Sequence, residues 1–251
     1  MAFTTVITHA TGDVFPAADW NTYIRDNINY LGALGDLSGQ ATLLNGTVSY
    51  SAPAGTNFLE VEGIGGGGGG AGAGGSAGLT DVGGGGGGGT WTTKLVSANI
   101  GTHTVAIGAG GAAGAAGGGT SGSGGQTSFN DSVGTTVLTA PGGQGSTNIG
   151  ANNFWHASSL LNAGGAGVGD LSIRGDPGEG VRVGGSAAYS RGGAAARGGG
   201  GGQAGADTSG SAAGSTGFQY GGGAAGAVAI GATSAAGAAG FAGVMRIRVY
   251  G

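Results

Sequence analysis

Apolar and polar positions along the chain follow two different rhythms, and the change falls near Asn45. In the first section Trp20, Ile24, Ile28 and Leu31 recur at i, i+4, i+8 and i+11, the stripe of one helix face. Pro16 suits the first helical position and Gly32 suits the stop. The spacing predicts one amphipathic α-helix of about four turns. A lone helix of that length is marginal in water. Its apolar stripe therefore predicts a cover, supplied by the rest of the chain, a sister chain or a larger assembly. Residues 1–45 are expected to form one module of strand plus helix, and residues 46–251 a separate glycine-rich domain.

The second section opens with alternation at period two. In "NFLEVEGI", Leu59 and Val61 share one face and Glu60 and Glu62 the other. "TWTTKLVS" and "HTVAI" alternate as well, with His103, Val105 and Ile107 on one face. The chain closes with "VMRIRVYG", which sets Met245, Ile247 and Val249 against Arg246, Arg248 and Tyr250. Acidic and basic outer faces on the first and last of these strands predict that they pair in one sheet. Such a pair contributes only about 0.2–1 kcal/mol, enough to select register rather than to hold the fold.

Between the strands the rhythm is three. Gly108, Gly111, Gly114 and Gly117 keep one phase, and Gly119, Gly122 and Gly125 a second. Gly231, Gly237, Gly240 and Gly243 repeat it, with Ser234 in the remaining slot. Three residues per turn is the period of the polyproline II helix, which makes no internal hydrogen bonds. Glycine rows let such helices lie close enough to bond to one another, which meets the demand that buried N–H and C=O groups be paired. The expected fold is mostly β and polyproline/polyglycine II: a glycine-rich bundle with flanking short strands, preceded by one N-terminal α-helix. The phase slip between Gly117 and Gly119 predicts a break or turn there.

Composition sharpens this picture. Glycine fills 69 of 251 positions, against a usual ~7%, so ordering the backbone is entropically costly. Low charge (8%) and only four prolines argue against a disordered tract, and a strict Gly-X-Y repeat is missing, which excludes collagen. The absence of cysteine rules out disulfides and thiolate metal sites. Uninterrupted apolar runs fall short of a ~20-residue span, so no membrane insertion is expected. A net charge of −4 with eight scattered basic residues argues against nucleic acid.

Candidate chemistry is sparse. "DLSIRGDPG" contains the tripeptide Arg174–Gly175–Asp176, read as a short strand followed by a turn. Asp170, Asp176 and Glu179 lie close enough in sequence to suggest calcium, but the spacing departs from a glycine-rich calcium repeat, so they are read as solvated turn acids. No Gly-Lys-Ser/Thr loop exists, and His9, His103 and His156 are scattered. No catalytic residues, cofactor or metal are expected. With an interior made of backbone, large side chains are expected to cluster at connections. Phe154, Trp155, His156, Tyr189, Arg191, Phe218 and Tyr220 are the side chains expected there.

The succession "SAPAGTNFLEVEGIGGGGGGAG", then "GTHTVAIGAGGAAGAAGGG" with "TSF" following, and a terminal "GVMRIRVYG" resembles the glycine-rich domains of bacteriophage tail fibres and tail-tip adhesins. "GDVFPAADWNTYIRDNINYL" is similar to the opening of phage structural proteins that carry a variable distal domain. The resemblance implies a virion protein, a homo-oligomer attached to other virion proteins through its N-terminal module. It also implies a stack of polyglycine II helices presenting loops to a bacterial surface receptor, protein or glycan. By the same resemblance, the seven connection side chains from Phe154 to Tyr220 are the candidates for receptor contact and the Trp20–Leu31 helix is the anchor. A capsid or head fibre, or a decoration protein with no receptor, would share the architecture. Glycine triplets would also suit an ice-binding slab.

Overall fold

The computed structural model describes residues 40–97, 101–150, 157–158, 164–183, 187–207 and 210–251. The helix expected over Trp20, Ile24, Ile28 and Leu31 lies outside these residues. The described chain is mostly β, its strands are antiparallel, and it contains no α-helix.

Two sheets form a sandwich at one end. The first runs, in spatial order, Gln40–Leu44, Val244–Tyr250, Phe58–Ile64, Trp91–Ser97 and Leu171–Ile173. The second runs Val48–Ser51, Thr102–Ala106, Thr127–Asn130 and Thr136–Ala140. The alternating apolar faces meet between them: Leu59, Val61, Met245, Ile247 and Val249 pack on Val105, Phe129 and Leu138. This side-chain core is larger than a bundle made only of backbone would have. His103 is fully buried in it and stacks on Phe129, with ring centroids 4.9 Å apart. Neither ring nitrogen of His103 finds a hydrogen-bond partner among the described residues.

The expected pairing of the first and last strands is present. Ile247 lies opposite Val61, Arg246 opposite Glu62 and Arg248 opposite Glu60. Arg248 Nη1 and Tyr250 Oη each donate to Glu60 Oε2 at 2.9 Å, and Arg246 pairs with Glu62. The bond from Arg248, supported by that from Tyr250, holds the Glu60 carboxyl below its ordinary range. The same contact pushes the Tyr250 phenol up, because its O–H is kept as a donor. A depressed carboxyl lends stability above its unfolded pKa of about 4.3 and loses it as pH falls through the folded value. A raised phenol lends stability below about 10 and loses it as pH rises through the folded value. The melting temperature should therefore fall at both ends of the pH scale. Glu60→Gln should flatten both limbs; unchanged limbs would show that the contact contributes nothing to stability.

Apart from Gln40–Leu44 and Val48–Ser51, the sandwich strands adjoin glycine-rich segments in which side chains vanish and neighbouring backbones close in. Residues 65–73 show the arrangement best. Their N–H groups donate in strict rotation to three neighbours: Gly65, Gly68 and Ala71 to Thr90, Gly87 and Gly84; Gly66, Gly69 and Gly72 to Gly125, Gly122 and Gly119; Gly67, Gly70 and Ala73 to Phe241, Ala238 and Ala235. Their carbonyls accept from Gly111, Gly114 and Gly117, from Ala224 and Ala227, and from Gly143. Six segments thus surround one. Residues 83–90 repeat the rotation, donating to 221–227, to 141–147, and to Asp176 and Glu179.

The triplet phase is visible in the burial of residues 108–116. Gly108, Gly111 and Gly114 are buried while Ala109, Ala112, Ala113, Ala115 and Ala116 are exposed. The chain reverses where the phase slips, at Gly117 (φ 89°) and Gly118 (φ 88°). Residues 119–125 then return alongside 109–115. Gly237, Gly240 and Gly243 donate to Gly114, Gly111 and Gly108, whereas Gly231 has φ 84° in a turn outside that row.

Two small sheets lie beyond the glycine segments. One is ordered Gln203–Asp207, Ala187–Arg191, Glu179–Val183 and Ala157–Ser158; the other Gly210–Ala212, Val228–Ile230 and Thr80–Val82. Val82, Ala188 and Val228 form their shared core. Buried Asp81 accepts from Gly74 N at 2.6 Å and from Asn148 Nδ2 at 3.0 Å, which ends the central segment.

Candidate functional site: a cavity over the outer sheet face

On the outer face of the five-stranded sheet, strand alternation places Glu62 beside Ile64, and register brings Arg246, Val244, Trp91 and Leu43 alongside them. Two turns cover part of this face. In the first, Ala195 N donates to Gly199 O at 3.0 Å, with Arg197 at its tip. In the second, Gly222 N donates to Gln219 O at 3.3 Å. The turns are tied together by Gly199 N donating to Tyr220 O and Phe218 N to Gly200 O. Their approach requires glycine, since a Cβ on Gly199 would stand 1.4 Å from Phe218 O.

Between sheet and turns lies a cavity of about 240 Å³, lined by apolar Leu43, Ile64, Tyr220 and Val244 and by polar Glu62, Arg197, Gln219 and Arg246. Trp91 is buried beneath the Arg197 guanidinium, whose carbon sits 4.3 Å from the ring centroid. That cation–π contact is worth about 0.5–1 kcal/mol and fixes the guanidinium over the indole. Tyr220 is held edge-on against Phe241, centroids 5.8 Å apart at 85°. Arg197 (φ 56°) and Gln219 (φ 63°) are the two non-glycine residues with positive φ among those described. Each costs on the order of 1–2 kcal/mol relative to an ordinary backbone. Both face the same cavity. Strain of this kind concentrates at binding and catalytic sites.

The expected contact residues divide. Tyr220 lines this cavity, and Phe218, 61% exposed, stands in the same turn. Tyr189 and Arg191 belong to a strand, Ala187–Arg191, rather than to a connection, because their segment is paired on both sides. They line a separate groove with Glu179 and Gln203. Phe154, Trp155 and His156 lie outside the described residues.

The "RGDPG" stretch is not a turn. Gly175 and Gly178 are buried against residues 85–89 while Asp176 and Pro177 point outward, the glycine-segment pattern again. Asp170 accepts from Leu95 N and Lys94 Nζ, both at 2.9 Å, and these bonds hold its carboxyl below the ordinary range. No three acidic or histidine side chains converge on a metal-sized site among the described residues. Trp91, Arg197, Gln219, Glu62 and Arg246 were invisible as a group in the sequence. The one clue was a lone arginine, Arg197, in an alanine–glycine context that needs no charge.

The model of one protein family, the glycine-rich domain, matches residues 42–250. The chain belongs to the glycine-rich domain family. The match takes in the sandwich, the glycine segments and both turns over the cavity. No curated protein matches the chain.

Proposed function

We propose that this glycine-rich domain protein is a bacteriophage virion component, a fibre or tip protein whose body contacts the host cell surface. On this reading the glycine segments are a polyglycine II-type bundle. The observation that carries it is the rotation of N–H donors along residues 65–73 to three neighbours, with six segments packed around one. A body whose interior is interlocked backbone resists bending in every direction and holds its surface in fixed geometry. Rigid display of a contact surface is what such a body does best, and the succession of strand and glycine words shared with phage adhesins supports the same reading. Residues 65–73 are enclosed, which favours a solid body over the two-layer slab of an ice-binding protein.

An antibody raised against the full chain is expected to decorate tail-fibre tips of phage particles whose genome encodes it, seen by electron microscopy. Decoration of the head would select the capsid-fibre alternative, which shares the rigid body but has no receptor. Particles left undecorated everywhere would overturn a virion role.

A further inference from the structure

We infer that the cavity beneath the Arg197 and Gln219 turns binds a carboxylate-bearing sugar, one acidic pyranose unit of a surface polysaccharide. The argument starts with charge. Glu62 and Arg246 neutralise each other on the cavity floor. Arg197 has no carboxylate partner among the described residues, yet its guanidinium is held in place over Trp91. A fixed, unpaired guanidinium at a cavity rim suits bidentate recognition of a carboxylate.

Size comes next. At about 240 Å³ the cavity is smaller than the ~300–1,000 Å³ typical of drug-sized sites, so it admits one ring rather than a chain of them. The lining is amphipathic as a pyranose is: Leu43, Ile64 and Tyr220 offer apolar walls to ring C–H groups, and the Gln219 amide and Glu62 carboxylate offer partners to hydroxyls. Strain supplies the third observation. Arg197 and Gln219, the two side chains that would grip the ligand, are the two held at positive φ. A purely structural turn would place glycine at both positions, as the chain does at so many others.

The inference rests on the surface-contact reading for its biological setting only, and binding by the purified full chain tests the cavity by itself. The probes are methyl β-D-glucuronide, the neutral methyl β-D-glucoside, and a blocked diglutamate peptide. They are titrated by calorimetry and by the indole N–H signal of Trp91, assigned through Trp91→Phe. The glucuronide is expected to bind at least tenfold more tightly than either competitor and to shift the Trp91 signal. Gln219→Gly and Arg197→Gly suit the left-handed backbone, so both should fold. Arg197→Gly is expected to lose at least tenfold in glucuronide affinity, and Gln219→Gly severalfold with an unchanged or raised melting temperature.

Several results would overturn the inference. They are equal binding of glucuronide and glucoside, no binding of either at millimolar concentration, peptide binding as tight as the sugar's, and unchanged affinity in both glycine variants. If the glucuronide binds while the antibody decorates no particle, the cavity assignment stands and the virion reading falls.

Discussion

Gly70→Ala is expected to leave the chain largely unfolded under conditions where the parent is native. The position is interior to the most enclosed segment: its N–H donates to Ala238 O and its carbonyl accepts from Gly114 N, both at 2.9 Å. A Cβ there would stand 1.9 Å from Ala225 O and 2.2 Å from the carbon that bears it. Those atoms are backbone, so no rotamer change relieves the clash. The neighbouring segment would have to withdraw, and withdrawal breaks the bonds that residues 221–227 make to 65–73 and 83–90. Overpacking in an ordinary core costs about 1–3 kcal/mol because side chains can shift. Here that relief is missing, and the loss should exceed about 4 kcal/mol, a large part of a typical domain's stability. Gly200→Ala is the control, since nothing lies within 4 Å of its Cβ position and its φ is ordinary. It should be neutral or slightly stabilising, because alanine narrows the unfolded ensemble. Thermal or urea melts of the two variants decide the matter. A Gly70→Ala protein that melts like Gly200→Ala would show that the segments are not packed backbone to backbone.

Thr127→Val is expected to cost about 2–4 kcal/mol, although it exchanges one small branched residue for another of the same shape. Thr127 is fully buried where the sandwich gives way to the glycine segments. Its Oγ1 accepts from Gly108 N at 3.0 Å and donates to Ile64 O at 2.8 Å. Strand ladders repeat every two residues and glycine segments every three, and at the junction Gly108 N–H donates to a side chain instead of a backbone carbonyl. The hydroxyl, which both donates and accepts, bridges the mismatch. Removing it strands the buried Gly108 N–H, worth about 1–3 kcal/mol, and takes a donor from the Ile64 carbonyl, worth about 0.5–1.5 kcal/mol. Thr127→Ser should recover most of the loss in a urea melt. If serine fares no better than valine, the methyl group rather than the hydroxyl is what the junction needs. Ser190 serves an N–H in the same way at the other end, accepting from Gly226 N at 2.9 Å while donating to Glu179 O at 3.1 Å.

These two positions mark what can and cannot be read along the chain. Pairing of the Phe58–Ile64 and Val244–Tyr250 strands was legible because alternation sorts charges onto one face, and acidic met basic. The burial rhythm of residues 108–116 was legible because alanines between the glycines make a three-residue phase visible. So was the reversal at Gly117 and Gly118, where that phase slips. Within 65–70 and 83–89 every residue is glycine, so no phase exists to be read, yet these are the most enclosed segments. "RGDPG" read as a turn because Pro177 and Gly178 are residues of the kind that turns favour. In the fold its two glycines face the bundle and its large side chains face out. The cavity draws on positions 62, 91, 197, 219 and 246, which share no local pattern.

By itself the sequence determined periods: two in the strands, three in the glycine rows, and a charge match between the first and last strands of the body. Periods follow from local geometry, from which side of the backbone each side chain leaves. Only the tertiary structure decided which segments are neighbours, which run parallel, and which turns meet over Trp91. A glycine segment bonds through backbone groups that every residue carries, so its partners leave no mark on residue identity. Buried hydroxyls at the joints and two left-handed residues at the cavity take their meaning from those neighbours alone.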